Sequence, residues 1–352
     1  MLAVAITETS QVGEARRLCV EVAQEAGFDT AGVGRVALVA TELATNLLKH
    51  GGGGELLCGP WSDPAHSDPS HAGLDLLALD RGPGMRDPGL CLRDGYSTAG
   101  TSGTGLGAVR RNARLFRLQS APGSGSAVLA RLAIAASRPT PDGLAIQDHS
   151  PMDLSPAWGA VTVPHRGERA CGDAWTAISE GALRVFLMAD GLGHGPDAAH
   201  AAAEAVRRFR QAPLRPPGAI LEAIHQALRP TRGAAVAIAR VDAARGAVTF
   251  AGIGNIGAAV VAGTEIRRML SHNGTAGHQL RRIQEFEYPW PDGAVLVMHS
   301  DGLASSWWPP RQAGLLALHP TLAAALLYRD HARGRDDCCV LVAATPASIP
   351  DD

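Results

Sequence analysis

The chain carries no large surplus of either charge. Its 32 Lys and Arg stand against 34 Asp and Glu, for a net charge of −2, which excludes a general nucleic-acid binder. The six cysteines include no C-x-x-C pair, and two of them are the neighbours Cys338 and Cys339. Neither a cysteine zinc site nor a secreted disulfide framework is indicated, and a reducing cytoplasm fits. No run reaches the roughly 20 apolar residues needed to cross a bilayer. The start, Met1-Leu2-Ala3-Val4-Ala5-Ile6-Thr7, lacks a basic leader and a long apolar core, and it reads as an edge strand. The expectation is therefore a cytoplasmic protein without nucleic-acid or membrane partners. No glycine loop ends in Gly-Lys-Ser/Thr, which argues against a Walker-type fold. A Rossmann reading fails because the glycine loop comes third and leads into Arg110-Arg111. There is no internal repeat.

What is present suits two domains, since 352 residues exceed what one core usually serves and 46% hydrophobic content is ample for two. Breakers from Ser137-Arg138-Pro139 to Pro151 and Pro156 place the division. The expected organisation is a first domain over 1–136, a linker over 137–157 and a second domain over 158–346. The segment from Trp61 to His71 reads as a surface loop without chemistry. In the second domain, helical stretches are expected at about 197–211, 217–229 and from Leu315 to Tyr328.

Four short acidic pieces mark this second domain: Gly172-Asp173, Ala189-Asp190-Gly191, Ser300-Asp301-Gly302 and Arg335-Asp336-Asp337. The apolar strands Leu183–Ala189 and Val295–His299 carry Asp190 and Asp301 to a buried rim, where an ionised carboxylate needs a cationic partner. No basic residue adjoins either one in sequence. Any one Asp-Gly pair alone is a turn that ends a strand. Together they point to a hard divalent cation held by oxygen, magnesium or manganese rather than zinc.

These pieces, with Gly252-Ile253-Gly254-Asn255-Ile256 and Leu192-Gly193-His194-Gly195, resemble the SpoIIE-like branch of the metal-dependent, PPM-type serine/threonine phosphatases over about Trp158 to Ala344. The resemblance implies a β-sandwich flanked by helices. It also implies two Mn2+ or Mg2+ ions held by Asp173, a bridging and catalytic Asp190, the Gly191 carbonyl, Asp301 and Asp336. Asp337 is the alternative to Asp336, because adjacent residues at a strand start point opposite ways. Cys338 and Cys339 stand where members of that family often have threonine or serine. His194 lies in a turn from which it can reach phosphate, although a surface turn histidine is the plainer reading.

The first domain carries a separate signal. Val33, Val36, Ala37, Ala40, Leu43, Ala44, Leu47 and Leu48 recur at helical spacing and end at Gly51 to Gly54. Glu42, Asn46 and His50 share one face of that helix. Downstream, a strand at Leu74–Leu79 runs into Asp80-Arg81-Gly82-Pro83-Gly84. Gly100 to Gly107 then opens a helix expected to continue through Phe116. A glycine loop at a helix start offers amides and a positive dipole end to phosphate.

In this order the three pieces, with Asp94-Gly95-Tyr96-Ser97-Thr98, resemble the GHKL (Bergerat) ATPases, above all the RsbT-type and anti-sigma serine kinases. The resemblance implies an α/β sandwich in which Asp80, with Gly82 and Gly84, takes adenine and Asn46 ligates the Mg2+ of ATP. Gly103, Thr104, Gly105, Leu106 and Gly107 would cradle the phosphates, and Glu42 would orient or deprotonate the attacking hydroxyl. Lys49 is the nearest cation in sequence to neutralise charge. The fold class expected for the whole chain is α+β in two domains.

Joined, the two resemblances imply a signalling protein with opposed activities, an ATP-dependent serine/threonine kinase and a metal-dependent phosphoserine/phosphothreonine phosphatase. Its implied partners are STAS-domain antagonist phosphoproteins of stress-response partner switching, with an anti-sigma or sigma-pathway protein beyond them. Two alternatives stand beside this. The chain is a phosphatase whose first domain only senses or docks through ATP, or it is a non-catalytic adaptor.

Overall fold

The computed structural model describes residues 1–62, 72–91, 105–134, 158–280, 282–307, 314 and 316–344. The expected loop residues 63–71, the linker at 137–157, Asp94–Thr98, Gly103, Thr104 and Arg281 lie outside them. The chain divides into two compact units, Met1–Leu154 and Ser155–Asp352.

In the first unit, β1 (Leu2–Ile6), β2 (Gly54–Ser62), β3 (Ala72–Leu79), β4 (Leu115–Ser120) and β5 (Ser126–Ala133) form one antiparallel sheet in the order β1-β2-β3-β5-β4. As expected from its composition, β1 is an edge strand. Two long helices, α1 (Thr9–Glu25) and α2 (Thr30–Lys49), pack against the sheet, and α3 (Pro88–Cys91) and α4 (Gly105–Asn112) follow β3. The core is built by Val36, Val39, Ala40, Leu43 and Leu47 of α2 against Leu56, Leu74, Leu76 and Ala130 of the sheet. The side chain of Asp29 caps α2, accepting from the Gly32 amide at 2.7 Å. Gly51 closes the helix, its amide donating to the carbonyls of Asn46 and Leu47.

One expectation for this unit is corrected. The helix that opens at Gly105 ends at Asn112 instead of running through Phe116, because Leu115–Ser120 pairs with β5 across the turn at residues 121–125. Sheet pairing overrides the local helical pattern there, and Phe116 packs on the core from a strand.

The same sheet holds a buried ion pair. Asp75 and Arg131 are register partners on β3 and β5, joined by two hydrogen bonds of 2.7 and 2.8 Å, and the guanidinium lies 4.1 Å from the Trp61 ring centroid. Both side chains are nearly inaccessible. Removing one partner leaves an uncompensated buried charge, so Asp75→Ala is expected to cost the first unit about 3–5 kcal/mol. Urea unfolding of the full chain measures it, and a loss under about 1 kcal/mol, the surface-pair range, contradicts the account.

In the second unit, β6 (Trp158–Val163), β7 (Asp173–Glu180), β8 (Leu183–Gly191), β9 (Ala234–Asp242), β10 (Ala247–Ile253), β11 (Gly257–Ala262), β12 (Glu265–Arg268), β13 (Phe286–Pro289), β14 (Val295–His299) and β15 (Cys338–Ala344) form two five-stranded sheets. Their orders are β13-β10-β9-β8-β7 and β12-β11-β14-β15-β6, antiparallel throughout. Helices α5 (Pro196–Gln211) and α6 (Pro217–Ala227) cover the first sheet, and α7 (Pro320–His331) packs on β15 and β6 of the second.

The apolar run Val185–Ala189 of β8 follows from this layering. Phe186 and Met188 point into the core between the sheets, while Val185, Leu187 and Ala189 point to α5 and α6. The third helix starts later than its pattern suggests. Pro320 takes its first turn, and the His319 side chain accepts from the Thr321 amide at 3.3 Å.

Candidate metal centre and nucleotide site

Asp173 opens β7 and Asp190 lies at the end of β8, and the antiparallel register makes them direct partners. Asp301 follows β14, and Asp336 and Asp337 precede β15. Strands of both sheets thus deliver carboxylates to one rim, where each is felt by the others. Burial and then repulsion from Asp190 raise the Asp173 carboxyl far above the usual range, against the opposing hydrogen bond from Ser300. Burial, followed by Asp301, Asp336 and Asp337, pushes Asp190 up to about 7. Asp301 is raised by burial and by Asp336, while Arg333 and Asn255 pull it back.

The supporting bonds set each side chain. The Ser300 hydroxyl donates to Asp173 Oδ2 at 2.5 Å and accepts the Cys339 amide at 2.9 Å. Asn255 donates to Asp301 Oδ2 at 2.6 Å. Gly191 closes the β7–β8 end, its amide donating to the Gly172 carbonyl at 2.9 Å.

Asp337 is buried and both of its oxygens are engaged, accepting the His165 amide at 2.7 Å and the Gly172 amide at 2.8 Å. A Cβ at Gly172 would lie 2.7 Å from Asp337 Oδ2, so that approach needs glycine. Asp336 is exposed, and its Oδ1 accepts the Asp337 amide at 2.9 Å. Sequence reasoning missed Ser300 and Arg333. Arg333 lies 32 residues beyond Asp301 and reaches it because its amide pairs with the Gly302 carbonyl at 2.8 Å.

The residues present fit divalent cations. The donor set is all oxygen, and the buried Asp173 Oδ1 makes no hydrogen bond among the described residues. Cys338 and Cys339 are buried, and burial raises both thiols, so neither offers a thiolate to such a site.

A pH dependence follows. A carboxyl raised to about 7 in the fold, against about 4 in the unfolded chain, keeps a proton that the unfolded chain releases. Its contribution to stability is present below about pH 4 and is lost as pH rises through about 7. Cations favour the ionised carboxylates and reverse this trend. The rise in Tm on adding Mn2+ or Mg2+ is therefore expected to be small near pH 5.5 and to grow towards pH 8. Scanning calorimetry reads it, and a shift independent of pH contradicts it.

In the first unit, Glu42 and Asn46 sit one helical turn apart on α2, beside the start of α4. A Cβ placed on Gly105 would lie 3.1 Å from Glu42 Oε2 and 3.5 Å from Asn46 Oδ1. The Asn46 Nδ2, a donor, is buried without a hydrogen-bond partner among the described residues, which fits an NH2 group kept for an acceptor such as a phosphate oxygen, while Oδ1 is the atom that could meet a cation.

Asp80 is buried, and its Oδ1 accepts the amides of Gly82 at 2.8 Å and Ser126 at 3.1 Å. Gly84 has a φ of +67°, and a Cβ there would lie 2.0 Å from the Ala121 carbonyl oxygen, so the β4–β5 hairpin alone demands glycine. Leu106 packs on the core and Gly107 is buried, leaving their backbone rather than side chains for a phosphate. Lys49, the one lysine of the chain, is exposed at the end of α2. Among the described residues, no helix is long and apolar enough to cross a membrane.

Comparison with known proteins places both units. The family described as Stage II sporulation protein E (SpoIIE) matches residues 180–346, a span that holds Asp190, Asp301 and Asp336 but not Asp173. The histidine kinase-like ATPase domain family matches residues 6–132. The serine/threonine-protein kinase RsbT of Bacillus subtilis (strain 168) is 35% identical over 116 residues, which are 33% of this chain and 84% of that protein.

Among solved structures, one described under "The bacterial stressosome: a modular system that has been adapted to control secondary messenger signaling" is 30% identical, with a TM-score of 0.50 over 53% of this chain and 97% of that one. A structure of RsbX in complex with magnesium is 19% identical, with a TM-score of 0.45 over 53% of this chain and 94% of that one.

Proposed function

We infer that this chain, which belongs to the RsbT-type histidine kinase-like ATPases in its first domain and to the SpoIIE, PPM-type serine/threonine phosphatases in its second, works as a bifunctional regulator of partner switching. The first domain transfers phosphate from ATP to a serine or threonine, and the second removes it. The substrate is a STAS-domain antagonist, with an anti-sigma or sigma-pathway protein as its further partner. The domains take residues 1–136 and 158–346, joined by a linker at 137–157.

One observation carries the phosphatase reading. Asp173 and Asp190 face each other across β7 and β8 with Asp301 and Asp336 beside them, and a buried Asp173 oxygen has no hydrogen-bond donor among the described residues. Asp173, Asp190, Asp301, Asp336 and the Gly191 carbonyl would hold two Mg2+ or Mn2+ ions. Such ions supply a water of lowered pKa and offset charge on the phosphoryl group. The chain itself orients the carboxylates. Ser300 fixes Asp173, Asn255 fixes Asp301, and Asp337 acts through the backbone by tying His165 and Gly172 in place. No side chain is required as a covalent nucleophile.

In the first domain, Asp80 is set to receive the adenine amino group and the α4 start, with Gly103 to Gly107, the phosphates. Asn46 would take the Mg2+ that accompanies ATP, which neutralises phosphate charge. Glu42 orients or deprotonates the incoming hydroxyl.

The test uses the full chain, ATP labelled on its γ-phosphate and a STAS-domain protein. Label should enter the substrate and be released as inorganic phosphate when Mn2+ or Mg2+ is present. Release from pre-phosphorylated substrate without any incorporation would replace the kinase by an ATP-binding sensor. Neither step with any STAS-domain protein tried would overturn the reading.

A further inference from the structure

We propose that His165, Glu168 and His194 form a third, separate metal site in the second unit, one that takes a single borderline transition-metal ion of the zinc class. One ligand atom from each of these residues lies within 4.8 Å of the others. The two imidazoles are stacked, with centroids 4.8 Å apart and planes at 21°. Glu168 Oε1 closes the group by bonding His194 Nδ1.

A plain ion pair with a stacked neighbour is the competing account, and it explains His194 and Glu168. It leaves the buried Nδ1 of His165 without a hydrogen-bond partner among the described residues, a cost that a ligand would relieve. Ligands around zinc, bound at about 2.0–2.2 Å, sit about 3.4 Å from one another in a tetrahedron. Side-chain rotations of about an ångström therefore close the group. Two imidazole nitrogens with one carboxylate oxygen suit zinc and its neighbours and do not suit magnesium, which seeks oxygen alone. Three protein ligands leave a fourth position open.

The place of this group in the fold gives it a consequence. The His165 amide hangs from Asp337 Oδ1 and the Gly172 amide from Asp337 Oδ2, so the loop that carries His165 and Glu168 ends at Asp173. His194 lies four residues past Asp190, in the turn that leads into α5. An ion held here ties the segment before β7 to the segment after β8, beside the two paired aspartates. The ion's presence does not depend on the phosphatase reading, and its test is a binding measurement rather than an activity.

The experiment takes the purified full chain, strips it with EDTA and offers one equivalent of Zn2+ in excess Mg2+. Zinc retained after gel filtration is then counted. Wild type and Asp190→Asn should each keep one zinc per chain, while Glu168→Gln and His194→Ala should bind at least about tenfold more weakly. His194 is 55% exposed, so its alanine variant is expected to fold, and its melting curve checks that. Co2+ in place of zinc should give visible bands that Cys171→Ser leaves unchanged. No zinc in wild type, equal retention in His194→Ala, loss in Asp190→Asn or loss in Cys171→Ser would each overturn the proposal.

Discussion

Asp190→Ala is expected to slow the Mn2+- or Mg2+-dependent release of phosphate from a phosphoserine STAS-domain protein by at least about three orders of magnitude, while ATP binding by the first domain stays at its wild-type level. The size follows from position. Asp190 is paired in register with Asp173, and burial, then repulsion from Asp301, Asp336 and Asp337, raises its carboxyl. Removing it takes away the ligand assigned to both ions and several kcal/mol of charge stabilisation in the transition state. The fold should survive, because loss of a repelled carboxylate relieves the cation-free cluster. The substituted protein is therefore expected to melt no lower than wild type in EDTA. Unchanged hydrolysis refutes the assignment, and a large loss of cation-free stability would make the effect structural.

Glu42→Gln is expected to slow phosphate transfer from ATP about 10²–10⁴-fold while leaving nucleotide affinity within about twofold, the behaviour of a group that acts on the hydroxyl and not on ATP. Its place next to Asn46 and the start of α4 supports that role. Asn46→Ala is the contrast, since a magnesium ligand should weaken the binding of Mg-ATP itself. Transfer that persists at the wild-type rate in Glu42→Gln contradicts the base assignment. No transfer in wild type leaves the first domain as an ATP-dependent sensor or docking module, and the phosphatase stands alone.

Much of this was legible because the relevant signals are local. The run Val185–Ala189 is apolar on both faces, so it reads as a buried strand, and Asp190 at its end reads as costly. The stripe of α2 and its glycine stop are equally local, which is why Glu42 and Asn46 could be placed on one face. Register is not local. Nothing in the residues around Asp173 says that it faces Asp190, or that Ser300, 127 residues away, donates to it.

The choice between Asp336 and Asp337 was open for a related reason. Alternation says only that they diverge, while the amides of His165 and Gly172 occupy Asp337 and leave Asp336 exposed. Phe116 failed in the other direction. Residues 105–116 look helical on their own, but pairing with β5 claims Leu115–Ser120 as a strand. His194 was read as reaching phosphate or as a surface turn residue. Its contacts with His165 and Glu168 join segments that sequence alone does not bring together.

The most direct test of the account is diffraction from crystals of the full chain soaked in Mn2+ and measured at the manganese absorption edge. It predicts two anomalous peaks among Asp173, Asp190, Asp301 and Asp336, with carboxylate oxygens at about 2.0–2.4 Å from them and Asp337 still bonded to the amides of His165 and Gly172. A map without density among those four side chains, at Mn2+ concentrations that support full phosphate release, contradicts it.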